Sequence, residues 1–207
     1  MKHILLILTI LFLPLQAGAT TVLASYLSNN NNGESIYRDT GPTTYQAVCQ
    51  PFTVTTSGTY SVGMLANLKK TGTPSVDLNF KIHDNTGGAN CGTQLGSVLG
   101  SNTVAGSSVG TSFGMIAATT TASVTFETAH TYFFVINTDT DGTDDLNYFN
   151  WSMANISIPY SSEYYKTNGT WAAETGWNVT FQINGDVPAA TATPTSILSL
   201  VRSFWIL

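Results

Sequence analysis

Residues 137–151, NTDTDGTDDLNYFNW, hold the densest group of chemistry-bearing side chains in this sequence. Asn137, Asp139, Asp141, Gly142 and Asp145 read N-x-D-x-D-G-x-x-D. Side-chain oxygens at alternate positions converge on one centre when the backbone curls, and a glycine permits the sharp turn. Calcium takes about six to eight hard oxygen ligands and suits that order. The position where a bidentate glutamate would close such a loop is Tyr148. Asn137, Asp139, Asp141 and Asp145 therefore make an incomplete calcium site, which needs a further oxygen from Asp144 or a neighbouring loop. The competing reading is a solvated hairpin turn, because Asp-Gly is a favoured turn pair and Asn and Asp bond their own backbone.

Aromatic residues follow at once: Tyr148, Phe149, Trp151, Tyr160, Tyr164, Tyr165, Trp171 and Trp177. In LNYFNWSM, Phe149, Trp151 and Met153 share one face of an extended strand, which predicts a core face. SSEYYKTNGTW reads as a loop, so Tyr164, Tyr165 and Trp171 are the candidate ligand-binding aromatics. Exposed Tyr and Trp rings stack on sugar rings, so the matching partner is an extracellular glycan. The plain alternative is core packing, since strands are enriched in aromatics.

Enzyme chemistry finds less support. Glycosidases need two carboxylates flanking one bond, and Glu127, Glu163 and Glu174 are scattered. His83 follows a clear strand and His130 precedes another, with no G-x-S-x-G elbow to accompany them. The chain is read as non-catalytic.

Two cysteines, Cys49 and Cys91, stand in a chain that begins MKHILLILTILFLPLQAGAT. Lys2 and His3 precede an apolar run, and Ala17-Gly18-Ala19 offers small residues for cleavage. Residues 1–19 are read as a secretory signal peptide. The run is too short for roughly 30 Å of hydrocarbon, which argues against a spanning anchor. In an exported chain the two cysteines are candidates for a disulfide. Closing a loop of about 40 residues would stabilise the fold by roughly 4 kcal/mol. Two separately buried thiols are the alternative.

The elements that position these groups read as strands. Val76, Leu78, Phe80 and Ile82 alternate with polar residues, as do Tyr60, Val62, Met64, Ala66 and Leu68, and Val179, Phe181 and Ile183. Period two over such lengths means strands with one buried face. TYFFVIN (131–137) is apolar throughout its middle, as for a central strand covered on both sides. Turn signals separate the runs at TSGT, KTGTP, DNTGGAN, TDGTDD and KTNGT. The predicted fold is all-β, an antiparallel β-sandwich of jelly-roll type over residues 20–186. Residues 187–196 read as a small-residue linker. Residues 197–207, ILSLVRSFWIL, form a short apolar tail that cannot span a bilayer by itself; a truncated anchor, an interfacial tail and a last strand are its open readings.

After Lys2 is removed with the leader, six basic residues face twelve acidic ones, a formal charge of −6. With no basic patch there is no counterion-release footprint, so nucleic acid is not an expected partner.

The serial order of motifs resembles a known family. QPFTVTTSGTYSVGMLANLKKTGTPSVDLNFKIHDNTGG is similar to the opening of the choice-of-anchor R type of exported bacterial module. FETAHTYFFVINTDTDG resembles its second half, and YYKTNGTWAAETGWNVTFQING its closing segment. The resemblance covers roughly residues 46–185 and implies a non-catalytic sandwich on exported proteins whose C-terminal anchors vary. It carries no site residues across. The expectation is a secreted or cell-surface module for adhesion or structural display. The alternative is a carbohydrate-binding module, stabilised by calcium. Membrane contact is expected only through a C-terminal anchor.

Overall fold

The computed structural model describes residues 20–28, 32–36, 38–40, 43–138, 146–155, 163–174 and 176–187. The expected leader (1–19), most of the linker and the apolar tail lie outside them. The described residues form strands β1 (Thr20–Tyr26), β2 (Asn32–Ile36), β3 (Arg38–Thr40), β4 (Thr43–Thr53), β5 (Gly58–Thr71) and β6 (Leu78–Asn85). A single helical turn, α1 (Cys91–Gln94), comes next, then β7 (Leu95–Val104), β8 (Gly114–Thr119), β9 (Val124–Phe126) and β10 (Thr131–Asn137). The last strands are β11 (Tyr148–Asn155), β12 (Glu163–Thr167), β13 (Thr170–Glu174), β14 (Trp177–Val179) and β15 (Phe181–Asp186).

Two antiparallel sheets result. The first runs β1-β15-β5-β11-β14, with β2 on β11 and with β8 and β9 on β5. The second runs β13-β12-β4-β10-β6-β7, with β3 on β4. From β4 onward the chain passes back and forth between the sheets, which is the jelly-roll manner of closing a sandwich. The fold class expected from the strand periodicity is the one observed.

The period-two faces build the core. Tyr60, Val62, Met64, Ala66 and Leu68 are buried along β5, Leu78, Phe80 and Ile82 along β6, and Phe181 and Ile183 along β15. Burying one large apolar side chain contributes about 1.5–3 kcal/mol, so these rows outweigh any single polar contact. Aromatics knit the two sheets. Phe134 of β10 meets Trp151 of β11 edge-to-face, with ring centroids 4.9 Å apart. The Trp151 indole N–H donates to the Thr180 carbonyl at 2.9 Å, so its one polar atom is satisfied inside the core. Phe149 and Trp151 are fully buried, as their shared face predicted.

β10 lies between β4 and β6 and is buried on both faces. Tyr132, Phe134 and Ile136 point into the sandwich. Phe133 and Val135 point the other way and pack with Ala47, Cys49 and Cys91 in a second apolar cluster. This outer cluster explains the unbroken apolar middle of TYFFVIN.

Candidate functional site

Cys49 and Cys91 form a disulfide that closes 42 residues of sequence separation. Cys49 sits opposite Val135 in the β4–β10 ladder. The bridge therefore clamps α1 onto the outer face of the second sheet. That turn is well specified locally. Asn90 caps it by accepting from the Gly92 N–H at 2.7 Å, and Gln94 Oε1 accepts from the Asn90 N–H at 2.8 Å. Two helix-end donors are thus satisfied reciprocally, as in a capping box. Leu95 and Trp171 pack against the rim of the same cluster. At Gly92 a Cβ would lie 3.1 Å from Cβ of Trp171, so the small residue lets α1 approach β13.

The segment 161–171, read from sequence as a loop, instead contains a two-stranded hairpin. Asn168 and Gly169 both have positive φ, 48° and 81°, and join β12 to β13 as a two-residue Asn-Gly turn. Asn168 Oδ1 accepts from the Thr44 N–H at 2.8 Å, which ties the turn to β4. Trp171 is half-buried and lies opposite Lys166. Tyr164 pairs in register with Cys49 and Tyr165 with Val48; their side chains lie outside the described residues. The structure thus brings the backbones of all three predicted aromatics to one edge of the second sheet.

Of the predicted calcium ligands, Asn137 ends β10, and its Nδ2 donates to the Thr138 carbonyl at 3.2 Å. Asp139, Asp141 and Asp145 lie outside the described residues. Among the described residues, no group of three or more His, Cys, Asp or Glu is placed to hold a metal ion.

A cleft of about 240 Å³ opens near the start of β10, lined by Asp84, Leu99, Thr125, Glu127, His130 and Tyr132. The Nε2 of His130 lies 2.7 Å from Oδ1 of Asp84. A carboxylate oxygen only accepts, so Nε2 carries the proton and the imidazole donates. The same Oδ1 accepts from the Asn85 N–H at 2.8 Å. The His130 ring rests on Tyr132, centroids 4.7 Å apart. The Tyr132 oxygen accepts from the Glu127 N–H at 2.8 Å. Burial pushes the Tyr132 phenol above its ordinary range; the Glu127 N–H acts the other way, and the carboxylates of Glu127 and Asp84 push it up again. His130 follows Ala129, whose φ of 63° is left-handed. A non-glycine residue there costs about 1 kcal/mol, so the surrounding turn holds His130 in place against local strain.

Two other titratable groups are perturbed. Burial pushes the Glu34 carboxyl on β2 up to about 7, the Ser35 backbone opposes it, and Glu174 adds to it. His83 is held below its ordinary value by burial, opposed by the Gly96 carbonyl and reinforced by Lys81. Its Nδ1 meets that carbonyl at 3.0 Å, so the ring fastens β6 to the start of β7.

No family model matches the chain, and no curated protein matches it. The resemblance to the choice-of-anchor R module rests on motif order alone. Among solved structures, the chain is similar to the cysteine protease and lectin-like domains of Cwp84, a surface layer associated protein of Clostridium difficile. Identity is 11% and the TM-score 0.43, over 70% of this chain and 33% of that one. The chain thus spans about a third of that structure's length. Among the described residues no helix is long and apolar enough to cross a membrane.

The cleft was missed in sequence. Asp84 and His130 read as separate turn residues, and Glu127 as a scattered acid. One signal was present: continuing the alternation of Leu78, Phe80 and Ile82 places Asp84 on their inward face. Nothing local pointed to its partners.

Proposed function

We propose that this protein is a non-catalytic exported β-sandwich module that serves adhesion or structural display at a cell surface. The observation that carries the reading is the Cys49–Cys91 bridge, which clamps a loop over an already double-faced sheet. Such a bridge persists in an oxidising compartment and stiffens a domain that works outside the cell. The test is to produce the full chain with its own leader in a bacterium, fractionate the cells and count free thiols. Recovery in the envelope or medium with none supports the reading. Retention in the cytoplasm with two free thiols overturns it.

A second reading is a carbohydrate-binding module that uses Tyr164, Tyr165 and Trp171, with the 137–145 loop holding calcium. Trp171 favours it: the residue is half-exposed on a hairpin edge and backed by the disulfide cluster, which would hold its ring still. A pre-positioned aromatic loses little conformational entropy on binding. Binding on a glycan array that Trp171→Ala abolishes, with the melting profile kept, supports this reading. Equal binding by the variant removes it.

A further inference from the structure

We propose that the cleft between Asp84, Glu127, His130 and Tyr132 is a binding site for a single neutral sugar ring, distinct from the Trp171 edge. The inference rests on the carbohydrate reading above but places recognition elsewhere on the molecule. The cleft holds donors and acceptors that the described residues leave unused.

Tyr132 is 3% exposed and lines the cleft. Its oxygen is taken as an acceptor by the Glu127 N–H. The phenol proton is left to be given, and no described residue receives it. The proton of a hydroxyl beside a cleft is met by water or by a ligand group. Beside it stand acceptors. Asp84 has Oδ1 occupied twice, by His130 and by its own neighbour Asn85, which leaves Oδ2. With Nε2 protonated, Nδ1 of His130 is a further acceptor in the neutral ring. The Glu127 carboxylate has no hydrogen-bond partner among the described residues, and Leu99 supplies an apolar wall.

A phenol donor beside two carboxylates and an apolar wall selects among ligand classes. An ammonium or guanidinium ion would satisfy the carboxylates but has nothing to accept the Tyr132 proton. A lone anion would meet that proton but be repelled by Asp84 and Glu127. A sugar hydroxyl does both, donating to a carboxylate while accepting from the phenol, and the C–H face of the ring suits Leu99. The volume sets the size. About 240 Å³ lies below the usual range of about 300–1,000 Å³ for larger ligands, so one ring fits and a longer chain must run out of the mouth. The left-handed Ala129 agrees with this, since strained backbone concentrates where a side chain must be held for binding.

The test is a side-chain NMR titration of the purified protein with neutral hexoses and pentoses, followed at His130 and Tyr132, with methylammonium and guanidinium as separate arms. At least one neutral sugar should move both signals along a saturating curve. Glu127→Ala, a change on the surface, should weaken that binding about tenfold or more, as for loss of a charged hydrogen bond. Tyr132→Phe keeps the ring, removes the donor together with the acceptor of the Glu127 N–H, and should weaken it as well. Trp171→Ala should leave the titration unchanged, which separates this site from the Trp171 edge. The proposal is overturned if no sugar moves these signals, if either cleft variant binds like the parent, if Trp171→Ala abolishes the effect, or if only the cations saturate.

Discussion

Gln50 and Asn178 meet across the interior of the sandwich. Gln50, fully buried on β4 of one sheet, donates from Nε2 to Oδ1 of Asn178 on β14 of the other at 3.0 Å. Its Oε1 accepts from the Val179 N–H at 3.0 Å, so both ends of one amide are engaged with the opposite sheet. A buried polar group of this kind is tolerated only while its partners stay in place.

Replacing Gln50 with Leu should therefore destabilise the fold, although Leu is more apolar. It removes the acceptor of the Val179 N–H and one donor to the Asn178 carboxamide. The expected loss is about 1–3 kcal/mol, read as a lower urea midpoint. A midpoint equal to that of the parent would show that the bridge contributes nothing net. A double-mutant cycle with Asn178→Ala should reveal coupling between the two sites.

Removal of the disulfide should weaken the molecule more. Cys49→Ala combined with Cys91→Ala should cost about 2–5 kcal/mol. Because Trp171 packs on this cluster, its fluorescence should shift toward that of a solvated indole before global unfolding. Coincident fluorescence and circular-dichroism transitions would show that α1 stays docked without the bridge.

Glu34 predicts a pH dependence. Its carboxyl is raised from 4.5 to about 7 in the fold, so the folded state binds the proton more tightly than the unfolded chain. The contribution is fully present below 4.5 and is lost as pH rises through about 7. Stability should fall across this window. Glu34→Gln should flatten the slope and be more stable than the parent at pH ~8, by about 1–3 kcal/mol. Urea melts at the two ends of the window decide it, and parallel curves for parent and variant would reject the assignment.

Ala129→Gly should raise stability by about 0.5–1 kcal/mol, since glycine adopts the left-handed φ of 63° without steric cost. Thermal melting would register the gain. A loss would mean that the Ala129 methyl makes contacts worth more than the strain.

Calcium in the millimolar range should raise the melting temperature if the 137–145 loop is a metal site, and Asp141→Ala should cancel the rise. An unchanged melt across the titration would leave the segment a turn.

Much of the core could be read in advance because it depends on local order. Phe80 and Ile183 had to be buried once a period-two strand had one packed face. Trp151 followed from the same rule, through the shared face with Phe149. The hairpin of β12 and β13 escaped because EYYKT and TWAAE lack period-two alternation; pairing with β4, through contacts such as Asn168 with Thr44, makes β12 a strand. The cleft escaped for a related reason. Asp84 and His130 are 46 residues apart and meet only because β6 and β10 are neighbours in the second sheet. Sheet order is a property of the whole chain, and no window of sequence carries it.

The β1–β15 ladder pairs Thr20 with Asp186 at one end and Tyr26 with Phe181 at the other. The described chain thus enters and leaves the sandwich side by side, at a single pole. A pull between these two ends would open the ladder like a zipper, one pair of residues at a time, at low force. A tether at only the β15 end would instead drag that strand lengthwise between β1 and β5, loading many hydrogen bonds together in shear. The same sandwich is therefore a fragile link in a string of modules and a robust head on a single stalk.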